Sequence, residues 1–256
     1  MKVRAVIFDL GGTLVDPYSM SPLRALQHAF KKHGYYLTAS QINMYMGLSK
    51  PKHIAMVVSD YYREAHRSHT DIDLPVKIKP LYASFKEKQM ELLSQEIEIL
   101  PGVQEAYHYL KYNNIKVGVT TGYSRDETQM ITDHLEKEGL VFDSVVSSDE
   151  VEKSRPHPDM VIKNLEIMNI DQMLAASVIK IDDSLYGLRE GMRAGCTTVG
   201  VARYSCMMTS LILSDDDISE YMKDIKIDQV REGMLDLGAD HTIDDMKSLP
   251  LLIERM

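Results

Sequence analysis

Five apolar runs rich in β-branched residues punctuate the 256-residue chain: "VRAVIFD" from Val3, "IKVGVTT" from Ile115, "LVFDSVVSS" from Leu140, "SVIKIDD" from Ser177 and "CTTVGVA" from Cys196. Each is preceded or followed by a stretch with helical spacing, the mark of a parallel sheet built from strand–helix–strand units. The runs are continuously apolar rather than alternating, so the predicted sheet is covered on both faces. Their C-terminal ends carry Asp9, Thr121, Ser147 with Ser148, and Asp182 with Asp183. In open α/β sheets ligands bind at that edge.

Between the first strand and "PGVQEAYHYL", from about Pro17 to Leu100, the pattern contains no convincing strand and reads as helices. Ser21 and Pro22 supply an N-cap and a first-turn proline, Leu23, Leu26 and Phe30 follow on one face, and Gly34 closes that helix. Thr38 and Gln41 fit a capping box for a second, short helix that Gly47 ends, and a third helix is expected to begin at Pro51. So long a segment is no loop. The expected organisation is a core of residues 1–17 and 99–256, with a small helical domain of residues 18–98 inserted after the first strand.

A chain with 44% apolar residues can bury one substantial core and a smaller one beside it. The net charge of −9, with no concentrated Lys/Arg block, argues against a nucleic-acid surface. An anionic substrate must then be met by local cations or a metal. Two cysteines, Cys196 and Cys206, without paired spacing, imply neither a disulfide framework nor a zinc knuckle, and fit a reduced cytoplasm. The N-terminal apolar run is too short to span a membrane and reads as a buried strand. His66 and His69 form an HxxH pair with no third ligand nearby in sequence, which favours a solvated helix end over a metal. The seventeen methionines show no sustained stripe and read as core filler.

The chemistry concentrates at the strand ends. "FDLGGTLVD" puts Asp9 before two glycines that permit a tight turn and close approach of a ligand, so Asp9 is a nucleophile, a metal ligand or simply a turn residue. "VTTGYS" offers Thr121 and the backbone N–H groups around Gly122 to an anion, or a plain turn. "SRPHP" holds Arg155 on a proline-stiffened loop, either a fixed cation for a phosphoryl group or a surface arginine. The adjacent carboxylates of "KIDDS" are costly unless a cation or proton lies between them, which makes a hard-metal site plausible. In "SKPKH", Lys50 stands at a predicted helix N-terminus beside Lys52, where the helix dipole and the neighbouring charge both disfavour an ammonium. A neutral amine there is a nucleophile. A lone lysine is otherwise a solvated one.

The order Asp, Thr, basic residue, Asp pair resembles the four motifs of the haloacid dehalogenase (HAD) superfamily. The similarity to its phosphonoacetaldehyde hydrolase (phosphonatase) family runs nearly end to end, through "AVIFDLGGTLVD", "SPLRAL", "MGLSKPKH", "ILPGV", "TTGYSR", "SRPHPDM", "LREGMRAGCTTVGV" and "GADHTID". The resemblance implies a Rossmann-like α/β core, a parallel sheet covered by helices, with an all-helical cap. It implies that Asp9 is a nucleophile and a ligand of Mg²⁺, with the Gly11 carbonyl, Asp183 and Asp182 as further candidate ligands. By the same resemblance Lys50 forms an imine with an aldehyde substrate, Thr121, Gly122 and Arg155 hold the phosphonyl group, Met46, Gly47 and His53 lie near the aldehyde, and Tyr123 faces the cap. It further implies a cytoplasmic hydrolase of a small phosphonate or phosphate, with neither nucleic acid nor membrane as partner. A homodimer through the cap is also implied, to which the apolar stripe of "SPLRALQHAF" could contribute, or else pack within the cap itself.

Phosphatases of the superfamily carry a general-acid Asp two positions after the nucleophile, and here that position is Gly11. An enamine leaving group needs no proton on oxygen, whereas an alkoxide does, and loss of a general acid typically costs about 10²–10⁴-fold. Arg155 stands where generic members mostly have Lys. The chain departs from the phosphonatase pattern around the metal, which reads Gly-Asp with a second acidic residue four positions on. Here it reads Asp182-Asp183, and the later position is Gly187. Either Asp182 substitutes for that carboxylate or the metal binds more weakly. Gly11 in place of the usual Ala and Ser19 in place of Cys are milder changes. Two other functions stay open at this stage: a HAD phosphatase of a small phosphate ester, and a catalytically weakened paralogue that only binds a phosphorylated ligand.

Overall fold

A computed structural model describes residues 2–64, 73–95, 97–213 and 219–256. His66 and His69 lie outside the described residues. Along the chain run β1 (Ala5–Phe8), α1 (Met20–Lys32), α2 (Ala39–Asn43), α3 (Lys50–Glu64), α4 (Leu74–Leu93), α5 (Val103–Tyr112), β2 (Lys116–Thr121), α6 (Arg125–Lys137) and β3 (Ser144–Ser147). They continue with α7 (Asp159–Ile167), β4 (Val178–Asp182), α8 (Leu185–Ala194), β5 (Thr197–Val201), α9 (Thr209–Ile212), α10 (Glu220–Asp236), β6 (His241–Ile243) and α11 (Leu249–Arg255).

Among the described residues six strands form one sheet in the order β3-β2-β1-β4-β5-β6, every pairing parallel. The parallel sheet is the one the pattern predicts, and the α/β core is Rossmann-like, as the resemblance implies. β1 shows why its run is apolar throughout. Val6 and Phe8 enter the core on one face of the sheet while Ala5 and Ile7 enter the core on the other, and all four are buried. Strand order reverses on either side of β1, so Asp9 leaves the sheet at the topological switch point, where a crevice opens. β6 is the element that the pattern did not show. His241 and Thr242 are only partly buried, Ile243 alone enters the core, and "HTI" makes no apolar run.

The segment after β1 is helical and has an apolar core of its own. Leu23, Leu26 and Phe30 of α1 are buried with Ile54, Val57 and Val58 of α3 and Leu81 and Phe85 of α4. The stripe of "SPLRALQHAF" thus packs inside this layer, and the alternative of a free dimer face does not hold for those side chains. The Thr38–Gln41 capping box forms as expected, with reciprocal bonds of 3.2 and 2.9 Å. The start of α1 differs. The helix begins at Met20 rather than after Ser21, because the Asp16 carboxylate accepts the Ser21 N–H at 3.1 Å and does the capping from outside the helix. Asp16, Tyr18 and Ser19 all adopt left-handed backbone conformations in that entry segment, and the Tyr18 N–H donates to the Tyr204 carbonyl to hold it. α3 starts at Lys50, one residue ahead of the expected Pro51. α4 runs through Pro80, which has no N–H to donate within the helix.

Several contacts join the helical layer to the core. Asn43 donates to the Cys206 carbonyl at 2.7 Å, Lys52 to the Arg155 carbonyl at 3.4 Å, and Lys86 pairs with Asp126 at 2.6 Å. Among the described residues no helix is long and apolar enough to cross a membrane.

Candidate active site

Beyond the C-terminal ends of β1, β2 and β4, under α1 and the start of α3, a cavity of about 20 Å³ is lined by Asp9, Gly11, Ser19, Met46, Gly47, Lys50, Thr121, Gly122, Tyr123, Arg155 and Asp183, with Pro22. By volume it holds little more than a water molecule. Two larger spaces, of about 260 and 370 Å³, lie elsewhere, against α6 and at the entry to α1. The chemistry sits in the smallest of the three, which Pro22, Met46, Gly47 and Lys50 of the helical layer help to line.

Each wall is positioned by a local device. Asp9 follows β1, and its N–H donates to the Ile181 carbonyl of β4. Gly12 then takes φ +76°, and a Cβ there would stand 2.4 Å from Asp183 Oδ2, so the turn that carries Asp9 is also the reason Asp183 can approach it. Gly47 has φ +97° and leaves no room for a side chain against Ser184, whose Oγ would lie 2.4 Å from its Cβ. Thr121 accepts the Tyr123 N–H at 3.2 Å, and Gly122 packs directly under the Leu48 carbonyl.

Arg155 is the most committed side chain. It is 1% exposed and ties four segments together: Nε donates to Glu190 Oε2 at 3.0 Å, Nη2 to Asp9 Oδ1 at 2.9 Å and to the Thr120 carbonyl at 3.0 Å, and Nη1 to the Gly47 carbonyl at 3.3 Å. Its Nη2 also lies 3.1 Å from Asp182 Oδ2. Burial works against the guanidinium charge, but Asp182, Asp9 and Glu190 outweigh it and hold the cation firmly. Asp182 accepts from Lys180 Nζ at 2.7 Å, from Ser184 N at 3.0 Å and from Ser184 Oγ at 2.7 Å. Burial would raise its carboxyl pKa, yet Arg155 and Lys180 keep it below the usual range. Asp9 and Asp183 are pushed the other way: burial first and then neighbouring carboxylates raise both, Asp183 the more.

Candidate oxygens of Asp9, Asp182 and Asp183 lie within 4.8 Å of one another. Four buried carboxylates, including Glu190, face two cations, Arg155 and Lys180, and the imbalance equals the charge of a divalent ion. All-oxygen anionic donors suit a hard cation such as Mg²⁺. The residues present therefore fit a metal beside Asp9 and Asp183.

Lys50 is the side chain whose environment the pattern could least foresee. At the first residue of α3 it is only 4% exposed, with Nζ 3.8 Å from Met46 Sδ and 5.5 Å from the centre of the Tyr123 ring. Burial lowers its pKa, while the charges of Glu127 and Asp9 pull the other way without cancelling the effect. One helical turn on, His53 Nε2 bonds the Ile42 carbonyl and must therefore donate, which leaves Nδ1 as a buried acceptor without a protein partner. Burial and then Lys50 bring that ring down to about 3, so it stays neutral. The Gly11 position is filled from the far side. A Cβ there would lie 3.0 Å from the Tyr123 hydroxyl and 3.3 Å from Ser19 Oγ.

Residues 6–201 match the haloacid dehalogenase-like hydrolase family. The chain belongs to that family. It is 30% identical to the phosphonoacetaldehyde hydrolase of Bacillus cytotoxicus, over 99% of this chain and 96% of that one. It is 33% identical to the phosphonoacetaldehyde hydrolase of Hahella chejuensis, over 98% of this chain and 86% of that one. A phosphonoacetaldehyde hydrolase-like protein from Oleispira antarctica has a similar crystal structure, with a TM-score of 0.87 at 26% identity, covering all of this chain and 92% of that one. Within the HAD hydrolases this chain thus belongs to the phosphonoacetaldehyde hydrolase family, and it is a hydrolase.

All the residues that the motifs single out in this HAD hydrolase lie at or beside one cavity. His53 and Asp182 stand just behind its wall, against Lys50 and Arg155 respectively. Three participants were missed. Lys180 sits inside a strand run, where a charge gives no periodic signal, and Glu190 lies mid-helix in α8. Glu127 is the third, and its Ser124-x-x-Glu spacing announces a capping box, which it forms, but not its burial toward Lys50.

Proposed function

We propose that this HAD hydrolase cleaves the carbon–phosphorus bond of phosphonoacetaldehyde, giving acetaldehyde and phosphate. The observation that carries the reading is the burial of Lys50, a proton-shedding amine, at the same small cavity as the carboxylate of Asp9. Condensation of the amine with the aldehyde expels water and leaves a protonated imine on Lys50. Asp9 attacks phosphorus, the P–C electron pair moves into the adjacent C–N system, and the leaving group is a neutral enamine instead of a carbanion. The products are an aspartyl phosphate on Asp9 and an enamine on Lys50. Water hydrolyses the first, while protonation at carbon and hydrolysis release acetaldehyde from the second.

Arg155 and Thr121 would orient the phosphonyl oxygens, and Arg155 would offset the negative charge that gathers there. Neutral His53, with Nδ1 unoccupied, can accept a hydrogen bond near Lys50 without adding a second charge there. Asp9, the Gly11 carbonyl and Asp183 would hold Mg²⁺, which supplies electrostatic stabilisation of the phosphoryl oxygens when bound. The helical segment of residues 18–98 acts as a cap. A cavity this small admits substrate only if the cap opens, and the reacting atoms are then brought together by its closure.

A phosphate-ester hydrolase is the weaker reading. Such an enzyme needs a general acid over the leaving oxygen, and the space beside Gly11 is occupied by Tyr123 and Ser19. The deciding test supplies phosphonoacetaldehyde with borohydride and maps the adduct by peptide mass spectrometry, alongside phosphate release from phosphonoacetaldehyde and from an aryl phosphate. A reduced adduct on Lys50 and release from the phosphonate alone are expected. Release from the aryl phosphate without any adduct would replace this reading with the ester hydrolase.

A further inference from the structure

The backbone of α8 comes unusually close to a side chain at its own N-terminus. A Cβ placed on Gly187 would lie 1.9 Å from Asp182 Oδ2, 2.1 Å from Cγ and 2.3 Å from Oδ1. The carboxylate of Asp182 therefore occupies the volume that any side chain at position 187 would have to enter. It cannot simply swing aside. Ser184 N and Oγ hold one oxygen, and Lys180 Nζ and Arg155 Nη2 contact the other. Ser184 Oγ in turn accepts the Gly187 N–H at 3.2 Å, so the carboxylate also sits against the positive end of a ten-residue helix.

We infer that Asp182 and Gly187 are a coupled pair in which the carboxylate comes from the strand end in place of the helix, and that Asp182 is a positioning residue acting through Arg155. An ionised carboxylate offers about four lone-pair sites. Three hydrogen bonds and one ion-pair contact already engage those of Asp182, so its function lies in those donors and not in direct coordination of a metal. By holding Lys180 and Arg155 together it keeps the guanidinium over Asp9, 2.9 Å away. The family pattern, Gly at 182 with an acid at 187, and this chain's Asp182 with Gly187 then place one negative charge in one volume from two backbone positions.

The inference rests on Arg155 as the anchor for the phosphonyl group, and its test does not depend on carbon–phosphorus cleavage. Inorganic phosphate binding, measured by calorimetry at saturating Mg²⁺, and thermal melting are compared across Asp182→Asn, Asp182→Gly, Gly187→Ala, Asp182→Gly/Gly187→Ala and Asp182→Gly/Gly187→Asp. Asp182→Asn and Asp182→Gly should weaken phosphate binding by about tenfold or more, since a charged partner of Arg155 is lost. Gly187→Ala should lower the melting temperature in the parent and not in the Asp182→Gly background. The exchanged pair, Asp182→Gly/Gly187→Asp, should recover phosphate binding to within about threefold of the parent, which the alanine pair cannot do because it restores volume without charge. Unchanged phosphate binding in Asp182→Asn, or an exchanged pair that binds phosphate no better than the alanine pair, overturns the inference. Should the enzyme prove inactive on phosphonoacetaldehyde while these shifts appear, the proposed reaction fails and the coupling stands.

Discussion

Arg155 Nη2 lies 2.9 Å from Asp9 Oδ1, and both side chains are almost fully buried. The nucleophile candidate and the anion anchor are thus one ion pair, held from behind by Glu190. An arginine does this because its planar fork reaches Glu190, Asp9 and the Gly47 carbonyl with three different nitrogens. Arg155→Lys should therefore lose at least about 10²-fold in kcat/KM despite keeping the charge, since one ammonium cannot make the three contacts together. Steady-state phosphate release measures it, and near-parent activity in the lysine variant would show that the fork is dispensable.

Lys50→Arg should lose on the order of 10⁴-fold or more in turnover, the scale of removing a member of a nucleophilic unit, and should give no borohydride adduct. In the parent enzyme, trapping should rise with pH and level off at an apparent pKa below 10.5. Burial depresses the ammonium, and only the amine condenses with a carbonyl. A trapping profile still climbing at pH 10.5 contradicts a depressed amine.

Chelation should separate the two halves of the reaction. With EDTA, phosphate release should fall by at least about 10²-fold, because the buried carboxylates of Asp9 and Asp183 then meet the phosphonyl group without the metal's positive charge between them. Borohydride trapping at Lys50 should persist, since imine formation draws on the lysine alone. Equal loss of both would tie the metal to folding of the site and not to its chemistry.

Burial raises the Asp16 carboxyl to about 6 from 3.8, with the Ser21 N–H and Arg24 opposing the effect. The folded state therefore binds more protons than the unfolded chain between those values, so stability from this group is present below about pH 4 and lost as pH rises to about 6. The interval corresponds to about 3 kcal/mol. Asp16→Asn, which can still cap Ser21, should unfold at higher urea than the parent at pH 7, and the difference should shrink toward pH 4. A constant difference across that range would place the cause elsewhere.

Gly11→Asp, which reinstates the usual general-acid position, should not create an ester phosphatase. Its Cβ meets the Tyr123 hydroxyl at 3.0 Å, so the new carboxylate must displace Tyr123 from beside Lys50. Turnover of phosphonoacetaldehyde should fall at least about tenfold, with aryl phosphate still untouched. Rapid aryl phosphate hydrolysis would show that the cavity is more adaptable than its packing implies.

Local chemistry made much of this molecule readable in one dimension. A strand buried on both faces must be apolar at every position, and that is why five of the six strands and the placement of Asp9, Thr121 and the Asp182-Asp183 pair at their ends could be read from hydrophobic runs. Capping is equally local, so Thr38 and Gln41 disclosed their helix. Tertiary structure decided the rest, because it depends on how separate segments meet and not on the pattern within any one of them. Ser21 lost its cap to Asp16, and β6 exists through its pairing with β5 and not through its own pattern. Likewise Lys50 is buried only because Met46, Tyr123 and the strand ends close over it. The carboxylate of Asp182 fills the place beside Gly187 because a strand end and a helix start meet there, a juxtaposition that no run or spacing records.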